Sequence, residues 1–379
     1  MAREQEQLPP LHGDAYRSPE AYDSECEQLF PKTWISVTTG MVVPEPGDVF
    51  PCTVAGLSLL VVRGRDHEIR VFYNLCRHRG APLLTEPCRQ TSGLLTCPYH
   101  AWSYRLDGQL YKAPHFDRLD AQAPTIKEQQ ELGLIQLRSA LWRDIVFINI
   151  DGQADPFEAF IAPLDARLSP WSAELLQPLG SKEYDIQANW KLVAENFIDA
   201  WHLPFVHPEL TRGMAPLLAV EDVRLNADLF GFVMPQGYGE RSGVEHRATP
   251  VFPDLPPDRA ETIEVWCIFP NTLILVEPDN QQVITVRPQS ATHSQETFAD
   301  YLPGAPVSEA ERESMLAFSQ HINEQDKRLL EAMQPARAMP VGDQTQLNRS
   351  WDQAVSRFQL RWRQCMDAAG KDGTPPASD

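Results

Sequence analysis

Long apolar runs are missing from these 379 residues. Nothing approaches the roughly twenty consecutive apolar residues of a membrane-spanning helix. The start, Met1-Ala2-Arg3-Glu4-Gln5-Glu6-Gln7, has no apolar stretch of a secretion signal. The chain is therefore expected to be soluble and cytoplasmic, with no membrane partner. Basic residues are also scarce: 33 Lys and Arg stand against 52 Asp and Glu, a net charge of −19. Binding to a phosphate backbone draws on a surplus of cations, so nucleic acid is excluded as a partner. Seven cysteines, an odd number without a secretion signal, do not describe a disulfide framework. Internal repeats are absent as well. What is there, 42% hydrophobic residues and nine Trp, is enough for two or three domains with ordinary cores.

Two of the cysteines stand in short motifs with histidine. Cys76-Arg77-His78-Arg79-Gly80 is followed, with eighteen residues between His78 and Cys97, by Cys97-Pro98-Tyr99-His100. A tetrahedral zinc accepts two thiolates and two imidazoles, but zinc ribbons and fingers take their near pair from C-x(2-4)-C and their far pair from H-x(3-5)-H. Here each loop offers one Cys and one His. That pattern suits a [2Fe-2S] centre of the Rieske type, in which two Cys hold one iron and two His the other. Gly80 lets the first loop turn, Pro98 stiffens the second, and Gly93 permits close backbone approach before Cys97. Cys26, Cys52, Cys88, Cys267 and Cys365 are left as buried or idle thiols.

The segment from Asn189 to Pro208 is the second informative stretch. Glu195, Asn196, Asp199 and His202 recur at three- and four-residue intervals, which places them on one face of a helix expected over Asn189 to Leu203. The stripe lacks Lys and Arg, and Val193, Phe197 and Trp201 make the opposite face apolar. Pro204 must end or kink this helix, letting His207 swing back toward His202. Non-heme iron(II) sites combine two His with one carboxylate. The carboxylate is either local, Glu195 or Asp199, or distant. Asp326 is the distant candidate: it shares the apolar helix face of Phe318, Ile322, Leu329 and Met333, where a lone carboxylate is costly unless paired or metal-bound. Its neighbours Glu324, Lys327, Arg328 and Glu331 are expected to be merely solvated.

Residues 18 to 30 read as a helix with Ser18 as N-cap and Pro19 at its first position. From Gly47 to Ile150 short β-rich runs follow: Asp48 to Val54, Leu57 to Val62, Ile69 to Tyr73, and Trp142 to Ile150. Turn residues at Gly64-Arg65-Asp66 and Asp107-Gly108 separate them, which makes an all-β module with both Cys-His motifs on loops. Gln153 to Leu179, rich in Pro, reads as a connection with short helical pieces. Beyond it, strands at Lys182 to Gln187, Leu229 to Pro235, Ile263 to Phe269, Leu273 to Glu277 and Val283 to Pro288 accompany a helix at Ser308 to Met333. The fold class is α+β, an antiparallel sheet wrapped on a long helix. The tail from Lys371 to Asp379 is expected to be disordered.

From about residue 30 to about residue 335 the chain resembles the Rieske non-heme iron oxygenases in their catalytic alpha subunits. Cys76-Arg77-His78-Arg79-Gly80-Ala81 and Cys97-Pro98-Tyr99-His100-Ala101-Trp102 carry the resemblance, with Asn196-Phe197-Ile198-Asp199-Ala200-Trp201-His202…His207 and Glu324-Gln325-Asp326. Ala101 stands where many members have Gly, and Trp201 where Tyr is frequent. The resemblance implies an N-terminal helical segment at 1–40 packed on the catalytic domain, a Rieske [2Fe-2S] domain at 41–152, a helix-grip catalytic domain with mononuclear iron at 153–370, and the tail at 371–379. It assigns the cluster to Cys76, His78, Cys97 and His100, and the non-heme Fe(II) to His202, His207 and Asp326. Asp199 matches the carboxylate that links a neighbouring subunit's cluster histidine to an iron histidine.

A terminal oxygenase is implied, fed from NAD(P)H through a flavin and iron-sulfur reductase or a ferredoxin. It uses O2 to hydroxylate or oxidatively demethylate a small organic substrate, an aromatic acid or a quaternary amine. Ring cis-dihydroxylation of an aromatic compound is the alternative outcome, and a homotrimer the expected assembly. Arg77, Arg79, Arg89 and Arg105 are candidates for meeting an acidic donor. Phe205, Phe230, Phe232, Trp266 and Leu275 are expected to line the pocket, and an aromatic box near Trp201 could hold a trimethylammonium group. Two other classes stay open: a Rieske electron carrier without oxygenase activity, and a zinc-binding module.

Overall fold

The computed structural model describes residues 9–114, 125–211, 220–235, 250–304, 307–337, 339, 341 and 343–372. Of the expected disordered tail, Lys371 and Asp372 complete a helix, and 373–379 lie outside the described residues. No described helix is long and apolar enough to cross a membrane.

Among the described residues, a four-stranded antiparallel sheet runs in the order Ile69–Tyr73, Leu57–Arg63, Asp48–Val54, Cys88–Arg89. A three-stranded sheet of Leu94–Thr96, Ser103–Arg105 and Leu110–Lys112 completes the module. Alternation along one strand serves two cores at once. Leu60 and Val62 pack with Phe72, Leu95, Trp102 and Tyr104, and Cys76 and Cys97 sit in the same cluster. Leu59 and Val61 point the other way, into the core shared with Trp190, Leu192 and Ile284 of the second half. Each such side chain contributes about 1.5–3 kcal/mol on burial, so the strand welds the two halves together.

Ile35–Thr39 lies within the segment expected to be helical, yet it is a strand paired with Ile145–Asn149, which pairs in turn with Arg138–Trp142. Before it comes the helix Pro19–Gln28, where the Ser18 hydroxyl accepts the Ala21 N–H at 3.1 Å. Its Glu25 is fully buried against Lys191 and accepts the indole N–H of both Trp190 (2.8 Å) and Trp362 (2.7 Å).

The second half is a seven-stranded antiparallel sheet in the order Leu176–Ile186, His293–Pro303, Asn280–Ser290, Thr272–Glu277, Thr262–Ile268, Leu229–Pro235, Glu221–Arg224. Val265 and Cys267 face one core, with Trp190, Val193 and Leu330; Trp266 and Ile268 face another, with Ile161, Leu164 and Leu168 of the helix Phe157–Leu168. The sheet is therefore covered on both faces. The long helix Glu309–Arg337 and the short helix Trp190–Phe197 lie together on the first face. A closing helix, Gln353–Asp372, was not anticipated from the sequence; its Phe358 packs edge-on against Trp190 (5.7 Å) and Phe269 (5.4 Å).

Candidate metal centres

The two Cys-His loops repeat one backbone pattern. Cys76 N–H donates to Ala81 O (2.8 Å) and Gly80 N–H to Cys76 O (2.9 Å); Cys97 N–H donates to Trp102 O (2.7 Å) and Ala101 N–H to Cys97 O (3.0 Å). Each loop turns on a left-handed residue four places after its cysteine, Gly80 at φ 75° and Ala101 at φ 58°. Alanine in that conformation is strained by about 1–2 kcal/mol, so Ala101 is not equivalent to the glycine common at its place.

The donors separate by depth. Cys76 and Cys97 are buried at 1% and 2% exposure, whereas His78 and His100 are exposed, their rings 4.7 Å apart at 75°. His78 also stacks on Trp102 at 5.1 Å. Two thiols inside and two imidazoles outside fit a binuclear cluster with one iron in the core and one at the surface. Burial pushes the Cys76 thiol up, and the neighbouring Cys97 thiol adds to that, while the Tyr104 hydroxyl works against it. Tyr104 accepts the Arg77 N–H at 3.0 Å, which leaves its own proton for Cys76 Sγ at 3.3 Å.

The second site forms where the helix stops early. Asn189 caps the helix by accepting the Lys191 N–H (2.9 Å), but the helix ends at Phe197, not at Leu203. The reason is local: Asp199 Oδ1 accepts the Trp201 N–H at 2.7 Å, drawing the backbone out of the spiral. Pro204 then sits in the first turn of a new short helix, Leu203–Val206, where proline is tolerated, instead of breaking a longer one. His202 and His207 flank this single turn with rings 5.3 Å apart at 77°. Asp326 reaches them from the long helix: its Oδ1 is 2.9 Å from His207 Nε2 and 3.5 Å from His202 Nε2. One donor atom from each of the three lies within 4.8 Å of the others, a convergence able to hold a metal ion.

His207 is buried at 1%. Burial opposes its charge, but Asp326, Gln325 and Glu209 outweigh burial and raise its pKa above the ordinary histidine value. Asp199 Oδ2 is 3.3 Å from His202 Nδ1, yet out of line with it, and that buried nitrogen makes no hydrogen bond.

Glu195, one of the two local carboxylate candidates, points elsewhere. It accepts from Tyr16 Oη (2.7 Å) and Gln359 Nε2 (3.1 Å), a buried link to the N-terminal segment and the closing helix. The helix face around Asp326 also differs from expectation. Its buried members are Asn323, Leu330 and Gln334, and the polar ones are paired: Asn323 Nδ2 donates to Glu296 Oε1 (2.8 Å), and Gln334 Oε1 accepts the Asn189 N–H (2.8 Å). Nor are the charged neighbours of Asp326 merely solvated, since Lys327 pairs with Glu331 (2.7 Å) and Glu324 with Lys182 (3.4 Å). Beside Asp326 a cavity of about 20 Å³, bordered by Asn196, Phe197, Glu296, Asn323 and Lys327, has room for one water.

None of the five expected pocket residues lines that cavity. Phe205 is 73% exposed, and Trp266 faces the far side of the sheet. Residues 212–219 and 236–249, within the stretch expected to shape the pocket, lie outside the described residues. Trp201 packs against Trp351 with ring centroids 4.2 Å apart and planes tilted by 32°, an aromatic partner that sequence spacing did not reveal. Of the four arginines near the cluster loops, Arg77 donates to Gly133 O (2.9 Å) and Arg89 pairs with Asp48 (2.6 Å), while Arg79 and Arg105 lie over Tyr99 (5.6 Å) and Tyr111 (4.8 Å). Tyr104, Gln325 and Glu209 were also missed. The buried alternation Trp102, Tyr104, Leu106 was a usable signal for the first of them.

Comparison with known proteins adds two family matches. The Rieske [2Fe-2S] domain matches residues 33–127, and the ring hydroxylating alpha subunit (catalytic domain) matches residues 173–368, just over half of the chain. The carnitine monooxygenase oxygenase subunit of Acinetobacter pittii is 30% identical over 195 residues, 51% of each chain. The anthranilate 1,2-dioxygenase large subunit of Acinetobacter baylyi is 32% identical over 201 residues, 51% of this chain and 41% of that one. The chain thus spans about half the length of the curated relatives it matches. The crystal structure of a quaternary ammonium Rieske monooxygenase in complex with L-carnitine superposes with a TM-score of 0.74 at 21% identity, covering 94% of this chain and 95% of that one. At that identity the likeness is one of fold.

Proposed function

The chain belongs to the ring hydroxylating alpha subunits and carries a Rieske [2Fe-2S] domain, and from that premise we propose that it is the terminal oxygenase component of a multi-protein oxygenase. In this reading Cys76, His78, Cys97 and His100 hold the cluster, and His202, His207 and Asp326 hold a non-heme Fe(II). When bound, the cluster supplies single electrons and the iron a position for O2. The observation that carries the reading is the meeting of His207 and Asp326, 119 residues apart in sequence, with His202 in one constellation. A Rieske electron carrier has no use for a second set of metal donors, so that set favours the oxygenase.

The chain's own residues divide the remaining work. Trp102 and Tyr104 pack around the cluster loops and keep water from the thiols. Asp199, one quarter exposed and close to the outer nitrogen of His202, is suited to link a neighbouring subunit's cluster histidine to this site within a cytoplasmic homotrimer. The exposed rings of His78 and His100, with Arg79 and Arg105 nearby, form a face suited to an NAD(P)H-dependent flavin and iron-sulfur reductase or a ferredoxin. The relatives support a quaternary amine as substrate, hydroxylated or oxidatively demethylated. Ring dihydroxylation of an aromatic acid is the second reading.

Oxygen uptake by the purified protein with a generic reductase, across panels of quaternary amines and aromatic acids, tests this. Coupled product in one panel is expected; iron analysis giving only the two cluster irons would refute the oxygenase. Asp199→Ala is expected to abolish turnover while both metals stay bound, and undiminished activity in that variant would remove Asp199 from the path.

A further inference from the structure

We propose that Gln325, itself oriented by Glu209, is a positioning residue that sets the tautomer of His207 and so aims its Nε2 lone pair at the metal position. The proposal rests on the reading of His202, His207 and Asp326 as iron ligands. Gln325 and Asp326 are consecutive on the long helix and project about 100° apart, so the His207 ring fits between them. Gln325 Oε1 lies 2.6 Å from His207 Nδ1, and Asp326 Oδ1 lies 2.9 Å from Nε2. One turn of one helix therefore clamps both nitrogens of one ring.

The chemistry of the amide fixes the direction of this clamp. An amide oxygen only accepts, so Nδ1 must carry a proton; the proton between Nε2 and Asp326 Oδ1 is then the one a metal displaces, which leaves the Nε2 lone pair to bind it. The amide cannot be turned round at no cost. Gln325 Nε2 donates to Glu209 Oε1 at 2.8 Å, and a reversed amide would set oxygen against oxygen there and an N–H against His207. His321 Nε2, 3.1 Å from the same Glu209 oxygen, helps hold that carboxylate in place. With His207 almost fully buried, water cannot replace Gln325 as the acceptor for Nδ1. His202 is held differently, since its Nδ1 lies 3.3 Å from Asp199 Oδ2 and makes no aligned bond among the described residues. One histidine is locked from behind, and the other keeps its outer nitrogen open to the carboxylate argued to link subunits.

The test uses the full chain with 15N-labelled histidine and three variants. Gln325→Leu removes the acceptor, Gln325→Met removes it with a closer match of shape, and the exchange Gln325→Glu with Glu209→Gln restores an acceptor at 325 opposite a donor at 209. The metal-free wild type and the exchange variant are expected to show His207 protonated on Nδ1. The Leu and Met variants are expected to lose that signature and to bind Fe(II) roughly 10- to 100-fold more weakly. Rescue by the exchange separates positioning from packing, and Met keeps the test alive where Leu fails to fold. Unchanged tautomer and unchanged Fe(II) affinity in a folded Leu or Met variant would overturn the proposal. A wild type that binds no iron at this site would instead sink the iron reading, while the tautomer measurement would still decide the clamp.

Discussion

Replacing Glu296 with Gln is expected to stabilise the protein in alkaline solution and to leave it unchanged in mild acid. Glu296 sits on the strand His293–Pro303, is 2% exposed, and borders the cavity beside Asp326. Burial is the main reason its carboxyl is pushed up to about 8; the hydrogen bond from Asn323 opposes this, and the carboxylates of Asp326 and Glu183 add to it. An unfolded chain releases this proton near the ordinary glutamate value of 4.5.

Between those two values the native state holds a proton that the unfolded state has lost, so stability falls as pH rises. It is fully present below the unfolded value, and the loss is complete above the folded one. At about 1.4 kcal/mol per unit, a shift of this size amounts to roughly 3–5 kcal/mol, a large part of the 5–15 kcal/mol that holds a typical domain. Gln keeps the acceptor for Asn323 and has no proton to lose. Urea unfolding of metal-free wild type and Glu296→Gln, near pH 5 and near pH 9, measures the difference. The variant is expected to gain several kcal/mol over wild type at the higher pH and to converge with it at the lower. Asp300, also buried and pushed up to about 7, imposes its own slope on both proteins and cancels in the comparison. A stability difference that does not change with pH would refute the reasoning.

Tyr104→Phe removes the hydroxyl proton aimed at Cys76 Sγ. A hydrogen bond that strengthens by about 1–2 kcal/mol when the cluster gains an electron raises the potential by roughly 40–90 mV, so a fall of that size is expected in a redox titration followed by circular dichroism. An unchanged potential with the cluster retained contradicts the assignment. Ala101→Gly relieves the left-handed strain of the second loop and, after the entropy glycine costs the folded chain, is expected to stabilise by about 0.5–1 kcal/mol. Gly80→Ala, the reciprocal change in the first loop, is expected to destabilise by a similar amount; thermal unfolding of both variants checks the pair, and equal melting temperatures would dismiss the strain.

Elements set by short-range pattern were legible in the sequence. Asp48–Val54, Ile69–Tyr73 and Leu229–Pro235 run where the alternation of side chains puts them, because a strand half-buried on a pleated surface shows its period to a reader of one segment. The closing helix was not legible. Its Phe358 and Trp362 find their partners in Trp190 and Glu25, more than 160 residues away, and no local period announces that meeting.

The site divides in the same way. Ligand types at fixed short spacing, with turn residues beside them, mark Cys76, His78, Cys97 and His100 as candidate ligands from sequence, since each loop must fold back on itself within five residues. His202, His207 and Asp199 were legible as a group but not as a shape. The helix that was expected to carry Asp199 and His202 ends at Phe197 because the Asp199 side chain competes for the backbone, and competition between side chain and spiral is settled only when both are placed.

By itself, the sequence determined which residues are candidates for metal donors, and a fold of antiparallel sheet on helix, since both follow from residue types and periods that hold over a few turns. Only the tertiary structure decided that Glu195 turns toward Tyr16 and Gln359 and away from the candidate metal site, and that Gln325 stands behind His207. It also decided that a buried Glu296 borders the cavity beside Asp326. Each of those depends on which distant segments exclude water together, and a linear pattern carries no record of that.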